Sequence, residues 1–119
     1  MVAVVQAVEA RQAALASELS GPPAAQLTTM WQQLSARQLR PIERLFFECY
    51  SRGANGEAPF DQLVPAAVDS WLAEDGGDPA MRRLGLAVVR GLLLDLVATG
   101  DEAGTAAALA RFADLVDGP

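Results

Sequence analysis

The chain has no histidine and no lysine, and only one cysteine and one tyrosine among its 119 residues. Without histidine, and with Cys49 alone, it offers no zinc-type ligand set and no Cys–His pair for nucleophilic catalysis. A single thiol also excludes an intrachain disulfide and fits a reducing compartment. Positive charge is sparse and of one kind: nine arginines stand against 15 Asp plus Glu, for a net charge of -6. Non-specific affinity for nucleic acid rests on a basic face that neutralises phosphates. This chain by itself is therefore expected not to bind DNA.

Several other features are missing. No segment alternates with a period of two, so no sheet is expected. The opening residues Met1 to Gln6 lack a basic n-region and are soon followed by Glu9 and Arg11, which does not suit a signal peptide, and a cytoplasmic location is expected. No Gly-rich phosphate loop is found, since Gly76-Gly-Asp-Pro79 is explained by a helix stop and start. Carboxylates are plentiful but scattered. Glu43 and Glu48, five apart on a helix, point in different directions, and no acidic pair is bracketed by apolar residues so as to raise a pKa. The chain is thus expected not to be an enzyme and to hold neither metal nor cofactor.

What is present is apolar helix. At 51% hydrophobic, residues 1–119 are read as one domain of a size that gains stability from sharing a core with a partner. Its organising element is Met81 to Thr99. From Leu84 to Ala98 every residue is apolar or glycine except Arg90 and Asp95, so the helix has no convincing polar face and must be covered on all sides. The run is shorter than the ~20 residues of a bilayer span and carries two charges, so protein rather than membrane is the expected cover. A short chain has little material for both sides, which points to a second copy of itself. Arg90 and Asp95 lie about 140° apart on the helix, so each needs a partner elsewhere, and cross-dimer partners are preferred over exposure. Ala80, Ala87, Gly91 and Ala98 form a low-relief stripe open to close approach.

The remaining breakers divide the chain further. Val2 to Leu19 carries Val4, Val5, Val8, Leu15 and Leu19 at helical spacing and ends at Ser20-Gly-Pro-Pro23. A second helix places Leu27, Met30, Trp31 and Leu34 on one stripe and is expected to end near Leu39. Pro41 suits the first position of a third, with Ile42, Leu45, Phe46 and Cys49 on its buried face, widened by Phe47 and Tyr50. Residues 51–59 read as loop. A fourth helix buries Phe60, Leu63, Val64, Ala67, Val68, Trp71 and Leu72, and either begins just before Pro65 or kinks there. Asp78 and Pro79 start the central helix, Thr99-Gly100 ends it, and Asp101 caps a last helix from Glu102 to about Asp117.

Six of the seven aromatics fall in helices two to four. Met30, Trp31, Phe46, Phe47, Cys49, Tyr50 and Trp71 are accordingly the candidate lining of a small-molecule cavity, with Tyr50 as its polar handle. Plain core packing is the competing reading for each of them.

Three segments carry a family resemblance: Leu39-Arg-Pro-Ile-Glu-Arg-Leu-Phe-Phe-Glu48, Arg90-Gly-Leu-Leu-Leu-Asp-Leu-Val-Ala-Thr-Gly-Asp101, and Ala106-Ala-Ala-Leu-Ala-Arg-Phe-Ala-Asp-Leu115. Taken in order, they resemble the C-terminal regulatory domain of tetracycline-repressor (TetR) family transcription regulators, over essentially the whole chain. The resemblance implies an all-α antiparallel bundle of about five helices, dimerising through the last two, with a small-molecule effector held among the first four. It implies a homodimer interface at Leu86, Val89, Arg90, Leu93, Val97, Leu109, Phe112 and Val116. It also implies that operator DNA is read by an N-terminal helix-turn-helix that these residues do not contain. The alternative is a stand-alone helical protein that binds a protein partner through apolar faces.

Overall fold

The computed structural model describes residues 23–72 and 78–117, together with 3, 6–8, 10 and 11; among them every regular element is helical. The described residues of the first 11 are helical, in keeping with the expected opening helix, whose remainder lies outside the described residues. The later helices are α1 (Pro23–Leu34), α2 (Arg40–Ala54), α3 (Phe60–Leu72), α4 (Pro79–Thr99) and α5 (Glu102–Asp117), with a 3-10 turn at Arg37–Leu39 before α2.

Local chemistry sets most of these boundaries. Asp78 accepts a hydrogen bond from the Ala80 N–H at 3.0 Å, which satisfies a donor the first turn of α4 leaves open. At the other end Gly100 adopts φ 71°, and its N–H closes on the Leu96 carbonyl. That left-handed stop is the geometry glycine allows without a Cβ penalty. Asp101 then accepts from the Gly104 N–H at 2.8 Å and starts α5.

Two boundaries depart from the sequence reading, and a third selects between its two alternatives. α1 stops at Leu34 rather than near Leu39, because the chain tightens into the 3-10 turn instead of continuing. α2 runs on to Ala54, so the loop is confined to 55–59. α3 is helical from Phe60 through Pro65 and does not wait for the proline.

Two apolar clusters fill the interior. Met30, Trp31 and Leu34 of α1 meet Val89, Leu93 and Leu96 of α4 and Leu109 of α5. Phe46 and Cys49 of α2, Phe60 of α3 and Val8 form the second, with Phe47 packed against both. The turn between α1 and α2 is tied to the start of α5, since Arg37 Nε and Arg40 Nη2 both donate to Glu102 Oε1 at 2.7 Å. Those donors hold the Glu102 carboxyl below its ordinary range, and the Glu102 carboxylate in turn raises Arg37.

Candidate functional site

Arg90 is the organising side chain of the one polar constellation we find in the described core. α4 carries it to the α2 surface, where it is only 8% exposed. Its guanidinium carbon stands 5.1 Å from the centroid of the Phe46 ring and 5.6 Å from that of Tyr50, and Nη1 donates to the Tyr50 hydroxyl at 3.3 Å. Phe46 and Tyr50 in turn pack with centroids 5.5 Å apart. A partly desolvated guanidinium over two rings is favoured by the negative ring faces, a contribution of about 1–2 kcal/mol.

The third member is Glu43, one turn ahead of Phe46 on α2 and 4% exposed. Its Oε2 is buried and has no hydrogen-bond partner among the described residues. Burial pushes its carboxyl from 4.5 up to about 7, against the opposing pull of Arg90 and Arg11. Desolvation therefore outweighs the charge attraction. The sequence reading sought a raised pKa only in acidic pairs and so did not single out this lone carboxyl. Glu43, Phe46, Phe47 and Tyr50 stand at i, i+3, i+4 and i+7, so the carboxylate lies on the aromatic face of α2. That spacing was the available signal. The buried face is also rotated from the expected one, and Ile42 and Leu45 are exposed.

The other expected site residues separate into groups. Met30 and Trp31 belong to the α1–α4–α5 cluster, whereas Phe46 and Cys49 belong to the α2–α3 cluster. Tyr50 packs against the second cluster and Phe47 against both, so only Phe46, Phe47, Cys49 and Tyr50 come together, with Phe46 and Tyr50 against Arg90. The side chain of Trp71 lies outside the described residues. Among the described residues, no three His, Cys, Asp or Glu side chains converge as metal ligands, and no helix is long and apolar enough to cross a membrane.

Comparison of the chain with protein-family models, with curated proteins and with solved structures gives no match. The site must be read from its own geometry.

The expected interface residues divide by burial within the single chain. Val89, Arg90, Leu93 and Leu109 are buried inside the single chain, and Leu86, Val97, Phe112 and Val116 are half-buried. Arg90 meets Phe46 and Tyr50 on α2 of its own chain, which answers its need for a partner without a second copy. Asp95 is exposed and accepts from Thr99 Oγ1 at 3.2 Å. The uncovered apolar surface of α4 is a different stripe, with Leu84 at 47% and Leu94 at 50% exposure.

Proposed function

We propose that the chain is an effector-binding and dimerisation domain of a TetR-type transcriptional regulator. The observation that carries this reading is the two-sided character of α4. Its inner side delivers Arg90 to a buried polar cluster with Glu43 and Tyr50, and its outer side presents Leu84 and Leu94 to solvent. A small apolar ligand bearing a polar group would find aromatic surface and convergent polar atoms at the first, which is the usual composition of a ligand site. A second copy would cover the second. A ligand that favours one position of α4 then changes the spacing of whatever the two copies carry, which couples effector to operator through a two-state body.

Solution mass by light scattering tests the reading, on the wild type and on Leu94→Glu, whose carboxylate replaces an exposed side chain. The expected outcome is a wild-type dimer and a folded Leu94→Glu monomer, because burying that charge against an apolar partner costs several kcal/mol. A wild-type monomer would sink the dimerising half of the proposal. It would favour the second reading, a helical protein that docks on a protein partner, for which exposed Ile42 and Leu45 on α2 supply an apolar patch.

A further inference from the structure

The outer stripe of α4 has a symmetry of its own. Ala80, Leu84, Ala87, Gly91, Leu94 and Ala98 are all exposed, and at 100° per residue they fall within about 40° of one line along the helix. Val89, at the midpoint of the stripe, points the opposite way into the core and is buried. Counted outward from residue 89, the stripe reads alike in both directions: Ala87 matches Gly91, Leu84 matches Leu94, and Ala80 matches Ala98. The flanks repeat the pattern with the sign of charge reversed, since Arg83 matches Asp95 and both are exposed. A surface matched to its own reverse is what a two-fold interface demands, because there residue i meets residue j and j meets i.

We propose that α4 packs antiparallel on α4 of a second copy, about a two-fold axis at residue 89. This rests on the dimerising part of the function proposed above and adds its register. Arg83, Ala87, Gly91 and Asp95 form one i, i+4 row. At the crossing angle of about -50° that aligns such rows, this row lies along its own reverse. The low centre at Ala87 and Gly91 lets the two backbones approach. Each Arg83 then meets the partner's Asp95, once at either end, and the exposed Leu84 and Leu94 close the two sides. An added Cβ at Gly91 meets nothing within 4 Å in the single chain, so a larger side chain there has room until a second copy arrives.

The test is sedimentation equilibrium of the full chain, with circular dichroism to check folding, on five proteins: wild type, Arg83→Asp, Asp95→Arg, the double reversal Arg83→Asp/Asp95→Arg, and Gly91→Leu. Each single reversal sets like charges against each other at two symmetric places, and is expected to raise the dimer dissociation constant about tenfold. The double reversal exchanges the charges and is expected to restore the wild-type constant. Gly91→Leu is expected to be a folded monomer. A wild-type dimer indifferent to the single reversals, not rescued by the double, or tolerant of Gly91→Leu overturns the register and leaves the dimer standing. A wild-type monomer overturns both the register and the dimerising reading.

Discussion

At Glu43 burial and charge pull in opposite directions, and burial wins. The folded carboxyl titrates near 7 against 4.5 for an unperturbed one, so between those values the folded chain binds more protons than the unfolded chain. Stability is then fully present below pH 4.5 and falls as pH rises through about 7, with a slope of at most about 1.4 kcal/mol per pH unit. Thermal unfolding from pH 5 to pH 8 should show this decline, and Glu43→Gln should flatten it and raise stability at pH 8. A profile that is unchanged in Glu43→Gln would mean that another group sets the pH dependence. Arg90 acts on the same titration. Arg90→Met removes the charge that opposes the upward shift, so Glu43 should titrate higher still. The variant should also be less stable at pH 8, where Glu43 must either take up a proton or stay charged with only Arg11 opposing its burial. The position of Glu43 on the aromatic face of α2 was legible from its spacing to Phe46, Phe47 and Tyr50. Its raised proton affinity was not, because it comes from burial, which is decided by how other parts of the chain pack over α2.

Among the elements, the ends of α4 and the approach of α2 to α3 respond to single residues in different ways. Asp78→Ala removes the side-chain acceptor for the Ala80 N–H and should cost about 1 kcal/mol in denaturant unfolding. Gly53 near the end of α2 is set by close contact rather than by dihedral freedom. A Cβ there would stand 2.7 Å from the Phe60 carbonyl oxygen and 3.2 Å from Val64 Cγ2. Because the first of these is backbone at the start of α3, Gly53→Ala should force the two helices apart and cost about 1–3 kcal/mol. A loss below a few tenths would show that α3 can shift freely. Caps and breakers at Asp78, Gly100 and Asp101 were readable because they act through their nearest neighbours in the chain. The end of α1 at Leu34 was not, since the tightening at Arg37–Leu39 accompanies Arg37 and Arg40 reaching Glu102 on α5.

For the whole molecule, two adjacent leucines distinguish inside from outside. Leu93 is 1% exposed in the core between α1, α4 and α5. Leu93→Glu should therefore abolish folding of the single chain, by more than about 4 kcal/mol, rather than merely separate two copies. Leu94→Glu should retain its helical circular dichroism. If both variants stayed folded, the assignment of the core face of α4 would fail.

Composition and periodicity by themselves determined that the chain is helical, where most helices begin and end, and that its longest one has no polar face. Those properties follow from residues within a few positions of one another, where hydrogen-bond geometry and side-chain spacing act. Tertiary structure alone decided which side of α4 is core. It turned Val89, Arg90 and Leu93 inward and left Leu84 and Leu94 outward, because α1, α2 and α5 cover only one side of that helix. A helix apolar all round contains no signal for that choice in its own pattern. The choice depends on where the neighbouring helices pack, and it turned Arg90 from an expected interface residue into the centre of the buried site.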